Sequence, residues 1–267
     1  MIFDFDKLMM LAEKHRSEYI SRQPYPYIYF DDVVDPNILK LAFNAFTAPD
    51  DTFYKYENPL ERKFAKDNVA EMADPIRNIL MQMNSPLFLL FLETLTGIEG
   101  LIPDPYYRGG GMHCMGRGCK LDIHIDFNKH PKLKIDRRIN VLLFPVKEWK
   151  EEWNGDFQVW SGAMEGKKHM LDKLQQRVFP KFNRMVIFST SEKSYHGVPE
   201  VINCPEDVFR FSMATYYYTN GRDDVAQDWQ PHSTTYIKRP GDQDDLDELR
   251  EKRNQGRLNS NTKGIIN

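Results

Sequence analysis

Apolar and polar positions alternate with two different periods in the two halves of the chain, and the change of period is the first guide to its fold. Near the start, Phe5, Leu8, Met9, Ala12 and Tyr19 fall largely at helical spacing, so residues 4 to 20 are expected to form an amphipathic helix, ended by Pro24 and Pro26. Tyr27 to Phe30 then read as a strand. Asp35-Pro36 is an N-cap and first-turn pair for a helix running through Phe46, and Ser85-Pro86 opens a second apolar helix that stops at Gly97. The first hundred residues therefore read as a helical support. From Gly111 onward the pattern shortens to β-rich runs at Ile139 to Val146, Phe157 to Ser161, Arg184 to Ser189 and Phe209 to Thr219, separated by turn signals such as Asn154-Gly155. Within the last run Tyr216, Tyr217 and Tyr218 alternate, so the middle ring should face opposite its neighbours. Helices packed outside a jelly-roll barrel account for both halves.

Composition narrows the picture. At 267 residues with 41% hydrophobic and 13% aromatic content the chain can bury one sizeable core, so residues 1–240 are expected to form a single catalytic domain. Its parts would be a helical support over 1–100 and a jelly-roll core over 101–222, and 241–267 would be a charged tail with a short solvated helix. The formal charge of -3 offers no overall basic field, so nucleic acid is not an expected partner. Leu87 to Leu95 is the most apolar stretch and is too short to span a bilayer, and the N-terminus lacks a signal pattern, so no membrane association is expected. Cys114, Cys119 and Cys204 are odd in number without a C-x-x-C pair, which suits free thiols in a cytoplasmic location. Oligomeric state is not readable.

The candidate chemistry centres on His124-Ile125-Asp126, with His196 seventy positions beyond Asp126. Side chains at i and i+2 of a strand share a face, so His124 and Asp126 converge while Ile125 turns into a core. Two imidazoles and one carboxylate on one face of a divalent iron leave cis positions open for a chelating acid and dioxygen. About one H-x-[DE] is expected by chance in this composition, yet none of the other six histidines has an acid two positions on. Arg210 opens the last β-prone run, and an arginine facing a barrel interior needs an anion to offset its desolvation. A dicarboxylic co-substrate would supply it, and Ser212, on the same strand face, could add a hydroxyl donor. Asn140 and Arg138 are further candidates for that pocket, equally explained as strand-end polar residues.

Phe127 to Pro131, Arg137-Arg138-Ile139-Asn140, Glu151 to Phe157 and Ser194-Tyr195-His196-Gly197 resemble the 2-oxoglutarate and Fe(II)-dependent oxygenase superfamily, in its prolyl 4-hydroxylase-like branch. The likeness extends to Pro26–Phe46, Gly109-Gly110-Gly111 and His232–Gly241. It implies a mainly β fold with flanking α, a double-stranded β-helix (jelly-roll, cupin-like) core, with His124, Asp126 and His196 as metal ligands and Arg210 and Ser212 as co-substrate residues, where many prolyl 4-hydroxylases carry Lys in place of Arg210. It further implies Fe(II), 2-oxoglutarate and O2, with ascorbate a further candidate, and hydroxylation of an unactivated C–H bond with release of succinate and CO2. Asp126 argues against halogenation, because halogenating relatives replace that carboxylate. A peptidyl proline is the leading substrate by this analogy. A small molecule, free amino acid or saccharide intermediate is the alternative, and a non-redox metal-binding jelly roll is the alternative of another class. Trp149, Trp153 and Trp160 read as barrel-edge packing, the glycine triplet as a turn toward the active-site strand, and Lys167, Lys168 and His169 as an exposed loop. The loop from Glu200 to Asp207 is the candidate substrate cover.

Overall fold

In the computed structural model, residues 1–166, 168–225 and 230–255 are described. The helices are α1 (Phe5–Ser21), α2 (Pro36–Ala45), α3 (Asp74–Met83), α4 (Pro86–Thr96) and α5 (Asp247–Asn254). The strands are β1 (Tyr27–Asp31), β2 (Tyr54–Asn58), β3 (Glu61–Lys66), β4 (Ile102–Pro103), β5 (Gly111–Met115), β6 (Lys120–Ile125) and β7 (Asp136–Phe144). There follow β8 (Phe157–Glu165), β9 (Lys168–Val178), β10 (Arg184–Ser189), β11 (Tyr195–Val198), β12 (Arg210–Thr219) and β13 (Thr235–Tyr236).

The helix signals hold where a cap can be read. Asp35 accepts from the amides of Asn37 and Ile38 with Pro36 in the first turn, Ser85 accepts from Phe88, and Gly97 closes α4 in the left-handed region at φ 73°. Helix α3 was not expected. Its N-cap is Ala73, which makes no side-chain cap bond, so the usual signal is absent. The first hundred residues are also not helices alone, since they supply β1 and the β2–β3 hairpin to the sheet.

The strands run in the order β1-β10-β7-β12-β5-β3-β6-β11-β8-β9, and the pairings between them are antiparallel. Strands β10, β7, β12 and β5 form one wall of a jelly roll, β6, β11, β8 and β9 the other, and β3 joins the two. Helices α1 to α4 cover the outer side of the first wall, where Phe88, Phe91, Leu92 and Leu95 pack with Ile139, Val141, Leu143, Met213 and Tyr217. Burying each such side chain contributes roughly 2 kcal/mol. With helices on one face and the barrel interior on the other, all ten residues of β12 are buried. Tyr216 and Tyr218 point inward with Ala214, and Tyr217 points outward, its hydroxyl donating to Met83 O at 2.6 Å. The alternation expected of the three tyrosines is therefore present.

Among the described residues no single helix is long and apolar enough to cross a membrane. The tail does contain a short helix, α5, and residues 256–267 lie outside the described residues.

Candidate active site

His124 is the penultimate residue of β6 and Asp126 follows the strand directly, while Ile125 points the other way into a cluster with Ile123, Tyr195 and Ile237. His196 lies on β11, paired in register with His124. The two strands come together because of Gly197, where a Cβ would sit 2.7 Å from Leu121 O and 2.9 Å from Asp122 O. As a result one ligand atom from each of His124, Asp126 and His196 falls within 4.8 Å of the others, a group that could hold a metal ion. The Nε2 atoms lie 3.8 Å (His124) and 3.3 Å (His196) from the Asp126 oxygens.

The donor set fits a divalent iron in its tautomers as well as its positions. His124 Nδ1 is 2.8 Å from Asp122 O, and His196 Nδ1 is 2.8 Å from Ser194 O. A backbone carbonyl can only accept, so each Nδ1 carries the hydrogen and each Nε2 presents its lone pair to the centre. Burial, reinforced by His196, lowers His124 to about 3, so its imidazole is neutral as a ligand must be. Burial alone would raise Asp126, but the Arg137 guanidinium beside it outweighs that and holds the carboxyl well below the usual range.

Arg137 is the residue that strand alternation conceals. A regular β7 would put Arg138 and Asn140 on one face. The pairing of β7 with β12 shifts register between Tyr217 and Tyr218, so that Tyr217 opposes Ile139 and Tyr218 opposes Arg137. The extra residue reverses the facing, and Arg137 joins Asn140 inside the barrel. Asn140 donates to Asp126 Oδ2 at 2.7 Å and accepts from Arg137 Nε at 2.8 Å. Arg137 Nη2 lies 3.3 Å from Asp126 Oδ2 as an ion pair, with the guanidinium 3.6 Å from the Tyr216 ring centroid. Neither Nη1 nor Nη2 has a hydrogen-bond acceptor. Arg138 instead donates to Thr219 and pairs with Asp224, away from Asp126.

Arg210 begins β12 on the inward face and is 4% exposed. Its Nε donates to Gly155 O at 2.7 Å, its guanidinium lies 4.7 Å from the Phe144 ring centroid, and Nη1 donates to the Met115 sulfur at 4.0 Å, with no ion pair to a carboxylate within 4 Å among the described residues. Burial depresses it from 12.5 to about 10, only partly opposed by Asp156. A buried guanidinium without a carboxylate partner is what a dicarboxylic acid would complete. Gly155, at φ 94°, is the unexpected contributor: a Cβ there would be 3.2 Å from both Arg210 Cδ and Trp149, so the Asn-Gly turn holds the arginine as well as turning the chain. Ser212 shares the inward face, opposite His113, and its hydroxyl makes no hydrogen bond among the described residues.

On the far side of His124 and Asp126 lies a cavity of about 430 Å³. Its walls come from β2 and β3 (Tyr56, Lys63) and from the C-terminal segment (His232, Tyr236, Arg253). The 200–207 loop is not part of the lining. It is anchored through Ile202 N to Cys119 O and Asn203 N to Trp153 O. The cover comes from β13, which pairs with β6 at Ile125 and His124, and from α5, whose Arg253 grips the buried Glu61 at 2.9 Å. The tryptophans pack: Trp149 and Trp153 meet edge to face, and Trp160 donates to Gln158. Lys168 and His169 are in β9 rather than a loop, the His169 ring meeting Tyr195, while Lys167 lies outside the described residues.

Residues 110–218 match the model of the 2OG-Fe(II) oxygenase superfamily. The prolyl 3,4-dihydroxylase OGFOD1 of Ostreococcus tauri is 25% identical over 218 residues, 76% of this chain and 40% of that protein, so the chain spans about two fifths of that relative's length. Among solved structures, a prolyl hydroxylase in complex with a hypoxia inducible factor oxygen degradation domain peptide fragment from Trichoplax adhaerens superposes with a TM-score of 0.51 at 15% identity, covering 80% of this chain and 91% of the other. A prolyl 4-hydroxylase of Phytophthora capsici gives 0.50 at 15% identity over 86% and 71% of the two chains. These likenesses carry the jelly-roll fold, and the segment 110–218 that matches the 2OG-Fe(II) oxygenase model contains His124, Asp126, His196 and Arg210.

Proposed function

We propose that this chain is an Fe(II)- and 2-oxoglutarate-dependent dioxygenase that hydroxylates a proline within a peptide, releasing succinate and CO2. The observation that carries the chemistry is the pairing of one buried metal-binding face, with both Nε2 lone pairs aimed at it, and one buried cation, Arg210, that has no carboxylate of its own. His124, Asp126 and His196 would hold the iron, and Arg210 would bind the distal carboxylate of 2-oxoglutarate with Ser212 as a further donor. Iron with its co-substrate supplies the oxidising power for an unactivated C–H bond. The chain's own work is positional. Asn140 fixes the Asp126 carboxylate, Arg137 keeps it ionised, and Phe188 and Phe157 pack against the His196 ring at centroid distances of 4.6 and 5.5 Å to keep water out. The peptidyl proline rests on the named relatives and on a cavity open beside the ligands. The buried, unpaired thiols of Cys114, Cys119 and Cys204 support a reducing, cytoplasmic setting.

The test is anaerobic loading with Fe(II) followed by 2-oxoglutarate, watching for the weak visible charge-transfer band. Wild type should show the band, His124→Ala should lose it, and Arg210→Ala should need far more 2-oxoglutarate. Iron binding without any band would refute the oxygenase reading and favour a non-redox metal protein. With the band present, mass gain on proline-containing peptides tests the substrate.

A further inference from the structure

Part of the cavity wall, including Tyr56, Lys63, His232, Tyr236 and Arg253, lies outside the matched segment 110–218. The chain is net acidic, with 39 Asp and Glu against 36 Lys and Arg, yet the cavity is lined by six Lys or Arg and only two carboxylates, Glu61 and Asp126. Most of these cations are already answered. Arg253 grips Glu61 at 2.9 Å, Lys129 pairs with Asp136 at 3.0 Å, and Lys132 is exposed to solvent beside the Tyr106 ring.

Lys63 is different. It projects from β3 with its ammonium 4.9 Å from the Tyr56 ring centroid, and among the described residues it makes no hydrogen bond and no ion pair within 4 Å. Burial pulls its pKa down, and the more distant Glu61 and Asp126 carboxylates do not restore it. Glu61 is committed to Arg253. Arg137 lines the same cavity, its guanidinium buried between the Phe127 and Tyr216 rings and ion-paired with Asp126 at 3.3 Å. A half-buried ammonium without an ion pair, beside that guanidinium, forms a site short of one anion.

We infer that Lys63, beside the buried Arg137 guanidinium, binds a carboxylate of the primary substrate. The inference rests on the peptide reading above and deepens it: the carboxylate is that of an acidic residue close to the hydroxylated proline. Charge selects carboxylate over phosphate. Arg137 already offsets Asp126, and Lys63 is a single ammonium with no ion pair within 4 Å among the described residues, which matches a singly charged group better than a phosphate dianion. Lys63 is thereby a specificity residue, placed on the substrate side of Asp126 while Arg210 serves the co-substrate.

The experiment uses the Fe(II)-loaded full chain with peptides containing one proline, in which each flanking position in turn carries Asp or its neutral isostere Asn. The reading is the Asp-to-Asn ratio of hydroxylation rate, taken within each variant so that a general loss of activity cancels. Wild type should prefer Asp at one flanking position by about tenfold. Lys63→Met should bring that ratio to about one, and Lys63→Glu should reverse it. Hydroxylation without an Asp preference, or a preference that survives Lys63→Met, overturns the carboxylate subsite and leaves the peptide reading intact. If no peptide is hydroxylated while 2-oxoglutarate is still consumed, the peptide reading fails, and the comparison moves to free L-proline against prolinamide by succinate release. A preference for L-proline that Lys63→Met removes keeps the subsite with a free acid as its source. Equal turnover, or none, overturns it.

Discussion

Replacing Arg210 by methionine should make the ligand-free protein more stable while removing its response to 2-oxoglutarate. The guanidinium is charged at neutral pH in both folded and unfolded chains, so a folded value depressed from 12.5 to about 10 measures what burial costs the native state, roughly 3 kcal/mol. That penalty is full at any pH below about 10 and fades as pH rises toward 12.5. Methionine escapes it but forfeits the Nε bond to Gly155 O, about 1 kcal/mol, and the contact over Phe144, about 1 kcal/mol more. The balance is a gain of roughly 1 kcal/mol, a Tm higher by about 2–4 °C for a chain of this size. Thermal unfolding with Mn(II) in place of iron avoids turnover and reads both states. At about a hundredfold excess over Kd, 2-oxoglutarate should stabilise wild type by about 2.7 kcal/mol and leave Arg210→Met nearly unmoved. A ligand-free variant that melts below wild type, or one that keeps the 2-oxoglutarate shift, would refute the claim that Arg210 waits as an uncompensated cation for this acid.

Asn140→Ala removes the link between Asp126 and Arg137, and titration with Co(II) followed by its visible absorption should show metal affinity falling by about 10–100-fold while Arg138→Ala leaves it near wild type. Tyr217→Phe loses the bond from the sheet to the end of α3 and leaves Met83 O without that donor, which should lower stability by about 1–2 kcal/mol in a urea melt. His232 is raised above its ordinary value by the Glu192 carboxylate 3.0 Å away, which outweighs its burial. Its contribution is therefore complete below about pH 6.5 and is lost as pH rises through the higher folded value, so the stability gap between wild type and His232→Gln should shrink across that interval; a gap that widens with pH would contradict the pairing.

The strands and helices that could be anticipated are those with short-range causes. Asp35-Pro36 and Ser85-Pro86 carry their own caps, and Arg184–Ser189 is an unbroken β-prone run in sequence and in structure. The H-x-D pair and His196 were also within reach, because i and i+2 spacing is local and the rest of the triad follows from the family likeness. What escaped has long-range causes. Arg137 enters the site through a bulge that depends on how β7 meets β12, and alternation alone points to Arg138. Strand β3 looks too charged for a barrel strand, yet Glu61 is 1% exposed because Arg253 from α5 neutralises it. The cavity beside the metal face is lined by residues of β13 and α5 and not by the 200–207 loop, and nothing near the metal motif announces a partner more than a hundred residues away.

The grip of Arg253 on Glu61, 192 positions apart, sets an order of events during synthesis. The ligand strands β6 and β11 and the arginine strand β12 are made before α5, so the oxidising centre can assemble while its substrate wall is still missing. Closing a loop of this length adds little to the entropic cost already met by the barrel. Helix α5, the last among the described residues, therefore acts as a late stitch, and a chain shortened before it would leave Glu61 without Arg253 and one wall of the cavity missing beside the metal face.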